Sequence, residues 1–283
     1  MKRTPVADFL RARREILQPE DVGLPRDENR RVPGLRREEV AELAGISSEY
    51  YLRLEQGRDH QPSDQVMAAI SRALRLDQYG FEYLHRLAHP RPASRSHSTG
   101  DIVSPEVMQL LQQWSATPAY LTDRNHDILA VNAPASLLAP GHLEPGGNIL
   151  LSIFATGSEF RKHSVGAWEN AAGRIVAALR FHGDSDDRRL QQIVGALSVK
   201  DRDFRRMWAS HDARPQSTGI APAYIQSYGW VNLHRQTLEV PGETGQFLTT
   251  YFGSSGSREA EALEQLAARV VREGATTRSL PGA

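Results

Sequence analysis

The stretch Arg36 to Arg58, RREEVAELAGISSEYYLRLEQGR, constrains this chain more than any other. Two short helical patterns flank Ala44-Gly45-Ile46. In the first, Val40, Ala41 and Leu43 stand beside Arg36, Arg37, Glu38, Glu39 and Glu42; in the second, Tyr51, Leu52 and Leu54 stand beside Ser48, Glu49, Arg53 and Glu55. Glycine enters the left-handed geometry of a helix C′ position without steric cost, so Gly45 marks the break. Ser47 then offers a hydroxyl to the first turn of the next helix, as an N-cap does. Helix, tight glycine turn and helix at this spacing predict a helix-turn-helix, whose second helix enters the major groove of DNA.

The rest of the chain has to be compatible with that unit. At 283 residues there is room for one or two domains, and 40% apolar with 24% charged residues is ordinary for a globular protein. No apolar run approaches the ~20 residues of a membrane span. The basic start MKRTPVADFLRARRE is followed by neither an apolar stretch nor a small-residue cleavage site, so it does not read as a signal peptide. With no cysteine there is no disulfide, and a cytoplasmic location and no membrane partner are expected. Net charge is zero, and residues 1–90 balance at 15 Lys+Arg against 15 Asp+Glu. Distribution matters more: Arg26, Arg30, Arg31, Arg36 and Arg37 fall within twelve residues. Such a local basic stripe can meet phosphates although the domain is neutral; it is equally compatible with a self-paired, solvated face.

Taken in order, Pro5 to Leu17 predicts a first helix with Val6, Phe9, Leu10, Arg13 and Leu17 on one face. Gln18 to Pro33, with Pro19, Gly23 and Pro25, reads as a loop. Ser63 caps a fourth helix over Asp64–Leu74, with Val66, Ile70, Ala73 and Leu74 inward, and Asp77 opens a fifth with Phe81, Leu84, Leu87 and Ala88 inward. Five helices with short connections make a small all-α bundle. His89 to Gly100 is rich in Pro, Ser and Arg and lacks large apolar residues, which places a linker at 91–100 between domains 1–90 and 101–283. The second domain predicts a helix at Pro105–Trp114, short strands at Ala119–Thr122 and Asp127–Val131, and helices at Asn148–Phe154, Ala167–Phe181, Asp187–Leu197 and Asp201–Ser210. Strands at Gly219–Ile225, Tyr228–Leu233, Thr237–Val240 and Gln246–Phe252 follow, then a terminal helix at Glu259–Arg272. That order predicts an α+β domain with one antiparallel sheet, whose face can cover helices and enclose a small molecule.

The first ninety residues resemble the XRE-type helix-turn-helix regulators. The run PGLRREEVAELAGIS, the pair Tyr50-Tyr51, and RLEQGRDHQPSDQV followed by ALRLD resemble the MmyB-like type more specifically. The second half is similar to the ligand-binding domain of that type at Pro118-Ala119, Asp127 to Asn132, Asn148, Phe154, Trp168, Val176 to Arg180, Trp208-Ala209 with His211, Pro241-Gly242, Gln246 and Gly253 to Gly256. The resemblance implies a PAS-like second domain, control of transcription, and a hydrophobic or fatty-acid-like ligand as one option.

On that pattern Arg36 and Arg37 lie against the DNA backbone and set register without reading sequence. Ser47, Ser48, Glu49 and Arg53 are the expected base readers; a carboxylate accepts from cytosine N4 and an arginine binds guanine bidentately. Tyr50 is placed to touch a phosphate or a thymine methyl, Arg30 and Arg31 to flank the groove from the loop, and Arg58 to close the DNA-binding set. A bland alternative for Glu49 and Arg53 is an exposed i,i+4 ion pair. The ligand-contacting candidates are Asn132, Arg180, Trp208, His211 and Trp230, with Arg180 or His211 as the partner of an acidic ligand head; each tryptophan is equally readable as a core anchor. No G-x-S-x-G, P-loop, G-x-G-x-x-G or H-E-x-x-H occurs, so an enzyme is not expected, nor is a cofactor. His85 and His89, four apart at a helix end, are a metal hint without an acidic third ligand in the sequence, so no metal site is expected. The sequence thus supports a double-stranded-DNA-binding regulator, a homodimer because one helix-turn-helix reads only a half-site, gated by a small hydrophobic ligand. The alternative is a regulator whose second domain only dimerises or binds protein.

Overall fold

The computed structural model describes residues 4–26, 30–58, 62–89, 102–163, 165–226, 228–241 and 245–278, without the side chains of 157–161, 163, 165 and 273–278. The expected linker at 91–100 lies outside the described residues. The chain forms two compact units, residues 1–95 with 202–215 and residues 96–201 with 216–283.

In the first unit, α1 spans Pro5–Ile16, capped by Thr4 and begun on proline, where the missing N–H costs nothing. A 3₁₀ turn at Pro19–Val22 interrupts the expected loop. Then come α2 at Arg37–Ala44, α3 at Ser48–Glu55, α4 at Asp64–Ala73 and α5 at Gln78–Ala88. Gly45 adopts φ 65° between α2 and α3, and the Ser47 hydroxyl accepts from Tyr50 N at 3.1 Å. The helix-turn-helix is therefore built as its sequence dictates. Phe9, Leu10, Leu35, Val40, Tyr51, Leu54, Met67, Ile70, Leu74 and Leu84 are buried, and Phe9 meets Tyr83 edge-to-face at 5.3 Å. Several inward positions differ from the sequence reading. Leu17, Val66, Phe81 and Leu87 are half-buried, while Met67 is buried on α4 and Tyr83 on α5, and Arg14 rather than Arg13 is the buried arginine of α1. Arg14 is buried because it has a buried partner: its Nε donates to Glu55 at 2.5 Å, and Nη1 donates to Leu35 O at 2.8 Å. Residues 202–215, including α11 (Arg202–Ala209), group with this unit, and Arg214 lies 3.8 Å from Asp77.

The second unit opens with α6 at Pro105–Gln113 and the antiparallel pair β1 (Ala119–Thr122) and β2 (Ile128–Val131). Four helices follow: α7 at Ala133–Leu138, α8 at Ile149–His163, α9 at Val165–His182 and α10 at Arg188–Lys200. After them come β3 (Thr218–Ile225), β4 (Gly229–Glu239), β5 (Phe247–Phe252) and α12 (Arg258–Arg278). The strands make one antiparallel sheet in the order β2-β1-β5-β4-β3, the α+β, PAS-like arrangement expected. Leu138, Ile225, Val231, Leu233, Ala262, Leu263 and Leu266 form one apolar cluster; Leu111, Ala119, Leu121, Ala130 and Leu248 form another.

The loop between β1 and β2 is held by side chains. Asp123 Oδ1 accepts from the backbone of Asn125 and Asp127, each at 2.8 Å. Arg189, in the first turn of α10, grips Asp127 with two bonds of 2.7 and 2.6 Å. Asn148 donates to Asn125 O and Asp127 Oδ1, while its own Oδ1 accepts from Leu151 N at the start of α8. One hairpin turn is thereby fastened to two helix N-termini, which positions the helices facing the sheet.

Candidate functional sites

The exposed surface of α3 carries Ser48, Glu49 and Arg53, with the cap Ser47 also exposed and Tyr50 half-buried. The Arg53 guanidinium lies over the Tyr50 ring, 5.6 Å from its centroid. Among the described residues Arg53 makes no ion pair with Glu49, so the i,i+4 alternative is not what the side chains adopt. Tyr51 and Leu54 are fully buried and hold α3 in the bundle. Arg31 and Arg58 are exposed and Arg36 is half-buried.

The other two expected phosphate contacts have internal employment. Arg37 Nε donates to Glu55 Oε2 at 2.7 Å, on a side chain still 44% exposed. Glu55 thus joins two arginines, one buried and one at the surface. Arg30 is a correction: its side chain is only 4% exposed and clamps Gly34 O (2.7 Å) and the Glu39 carboxylate. Burial opposes ionisation of Glu39, but bonds from Arg30 and from Arg36 N (2.6 Å) outweigh it and hold the carboxyl below its usual range. Arg30 therefore shapes the loop entering α2 and does not flank a groove.

In the second unit a cavity of about 470 Å³ opens between the sheet and the helices, within the ~300–1,000 Å³ usual for small-molecule sites. Leu138, Leu143, Ile149, Ile153, Trp168 and Ile175 supply its helical and loop wall; Tyr120, Trp230 and Tyr251 supply aromatic surface from the strands. Arg235, in mid-β4, is the one arginine or lysine among the lining residues. It is buried, and its Nε has no hydrogen-bond partner among the described residues. In the amide orientation that satisfies both groups, Gln216 Oε1 accepts from its two terminal nitrogens. Gly219 pairs with Arg235 across the sheet, and Tyr251 pairs with it from the other side. A Cβ at Gly219 would lie 3.3 Å from both Arg174 Nη1 and Arg235 Nη2, so the missing side chain leaves the two guanidinium groups their space. Burial, with Tyr120 alongside, pushes the Tyr251 phenol well above its ordinary range, so it stays a neutral donor. His126 Nε2 lies 3.3 Å from Ile175 O; burial, helped by the Arg235 charge, lowers its pKa to about 4 against the pull of that bond.

Of the five ligand candidates read from the sequence, the cavity includes Trp230. Asn132 is corrected to a structural hub: its Oδ1 accepts from Ala119 N and Ala135 N, and its Nδ2 donates to Trp114 O and Thr117 O. It caps α7, a helix the sequence reading missed. Arg180 is buried but does not line the cavity. Trp208 and His211 belong to the first unit, where Trp208 stacks on Phe204 at 5.8 Å and His211 has φ 51°. The missed residue is Arg235. Its signal lay in His234-Arg235-Gln236, a polar triplet that looked like a break between two strands. A single strand runs through it, and alternation along that strand carries Arg235 to the face that meets the cavity.

Comparison with known families decides what these parts compose. Residues 103–266 match the MmyB-like transcription regulator ligand binding domain. The chain belongs to that family. Residues 6–81 match a helix-turn-helix domain, so this MmyB-like protein is a DNA-binding transcription regulator with a ligand-binding domain. Both matched domains are those of regulators rather than enzymes. A comparison with curated proteins finds no match. No described helix is long and apolar enough to cross a membrane.

Proposed function

We propose that this regulator binds its operator as a homodimer and is gated by an apolar ligand bearing a carboxylate, of the fatty-acid type. The observation that carries the ligand class is Arg235: a buried arginine among the residues lining an otherwise largely apolar cavity. A buried donor without a partner costs about 1–3 kcal/mol, and an arginine meets a carboxylate through parallel N–H donors. The acid head would sit at Arg235, with Tyr251 as a neutral donor beside it, and the chain would run along Ile149, Ile153, Trp168 and Trp230. Gating requires that the ligand prefer one arrangement of the dimer. On the DNA, Ser47, Ser48, Glu49 and Arg53 read bases while Arg31, Arg36, Arg58 and the exposed part of Arg37 meet phosphates.

Native mass spectrometry of the purified chain with added lauric to palmitic acid tests the ligand class. One acid per chain is expected, bound at least about tenfold more tightly than its methyl ester and weakened to the level of the ester by Arg235→Leu. A cavity that takes neither compound would favour the reading in which the second domain only dimerises or binds protein.

A further inference from the structure

The helical unit also brings together three side chains that its DNA-reading role leaves unused. Asp64 stands at the first residue of α4, just after its cap Ser63. His85 lies in the last turn of α5, and His89 follows that helix as its C-cap. Four residues apart, the two imidazoles project from the same side of α5, and their ring centroids are 4.8 Å apart. The turn between α4 and α5 folds the end of α5 back to the start of α4. One oxygen, Asp64 Oδ1, therefore faces both rings: it lies 3.3 Å from His85 Nε2 and 3.8 Å from His89 Nε2. The three donor atoms all fall within 4.8 Å of one another.

We propose that Asp64, His85 and His89 form a binding site for a borderline divalent transition-metal ion, Zn²⁺ or a close analogue. At metal–ligand bonds of about 2.0–2.1 Å, two ligands of a tetrahedral ion stand roughly 3.3–3.4 Å apart. The Asp64–His85 separation already has that value, the Asp64–His89 separation needs a closure of about half an ångström, and the two histidine donors, at most 4.8 Å apart, need up to about 1.5 Å. The side chains are 79%, 46% and 40% exposed, so rotation can supply it. Two imidazoles and one carboxylate select Zn²⁺, Co²⁺, Ni²⁺ or Cu²⁺ over the oxygen-seeking Mg²⁺ and Ca²⁺. Three protein ligands leave a fourth position open to water. The sequence hid the site because its third ligand is 21 residues before the first histidine, on a different helix. Bound there, the ion staples the first turn of α4 to the last turn of α5 and stabilises the helical unit in proportion to its loading.

The competing account is a surface ion pair between Asp64 and protonated histidine, which binds no metal. Full-length protein made without a histidine tag and stripped with EDTA separates the two. Titration with Co²⁺ is expected to give one tight equivalent with the intense visible absorption of a tetrahedral N/O site, displaced by Zn²⁺. His85→Ala and Asp64→Asn should each weaken Zn²⁺ at least about tenfold by calorimetry, whereas His234→Ala on the sheet should leave it unchanged. The helical content of each variant is checked by circular dichroism, and the exposure of all three residues makes misfolding unexpected. Absence of Zn²⁺ binding at 100-fold excess over protein, or full binding in Asp64→Asn, overturns the three-ligand site. Loss in the His85 variant alone would likewise reduce it to a bare histidine.

Discussion

Glu55 shows how one residue can matter in a way its position in the sequence does not reveal. In the sequence it is one more charge on the polar side of the recognition helix. In the fold its side chain is 1% exposed and holds Arg14, 41 positions earlier, and Arg37. Replacing Glu55 by Ala strands the Arg14 guanidinium in the bundle. Breaking a buried pair from one side costs about 3–5 kcal/mol, so urea unfolding followed by hydrogen exchange of α1 and α3 amides should show a loss of that size. A loss under about 1 kcal/mol would mean the pair is effectively solvated. The exposed residues of the same helix are simpler, because spacing alone puts them outside. Arg53→Ala is expected to cost about 1–3 kcal/mol at one base position and flatten preference there. Arg58→Ala should weaken all sequences alike and reduce the salt dependence by about one unit. Selection from random duplexes, scored against both variants, reads the difference; an unchanged base preference in Arg53→Ala removes it from the readers.

At the scale of elements, local chemistry was legible and long-range pairing was not. Ser47 and Gly45 announce their turn because cap and left-handed geometry are properties of single residues. β1 was likewise readable from its run of four residues. Asn132 was not: a turn residue by composition, it joins α6, β1 and α7 through groups 13 to 18 positions earlier. Asn132→Ala removes a helix cap and leaves two backbone carbonyls and an N–H buried without it, so a loss of roughly 2–4 kcal/mol is expected on thermal or urea unfolding. The β1–β2 turn carries a pH dependence. The His126 pKa falls from 6.5 to about 4 on folding, since burial disfavours its charged form. Between those values the unfolded chain holds the proton and the folded chain does not. Stability therefore falls as pH drops from 6.5 towards 4 and this contribution levels off below, a total on the order of 3 kcal/mol. Urea midpoints of the second unit at pH 7 and pH 5 should show the drop. His126→Asn, which tolerates the left-handed backbone of φ 64° and does not titrate, should flatten it.

At the scale of the molecule, two kinds of information meet: a helix that reads DNA, and a cavity whose one lining arginine among the described residues comes from the middle of a strand. The first was legible because its signal is contiguous; the second was assembled from β1, β3, β4, β5, α7, α8 and α9, no two of which advertise a shared surface. That is why the sequence offered Arg180 and His211 as partners for an acidic head, while the arginine among the described cavity-lining residues is Arg235. Ligand control requires that filling the cavity alter operator affinity, with a coupling of about 1–3 kcal/mol, or roughly 5–150-fold. The direct measurement is fluorescence anisotropy with a duplex selected by the protein, with and without saturating palmitate, for the wild-type chain and Arg235→Leu. The account predicts a shift of at least about fivefold in operator Kd for the wild type, none with the methyl ester, and none in Arg235→Leu, whose unliganded operator affinity is unchanged. Identical operator affinity with palmitate demonstrably bound would contradict it.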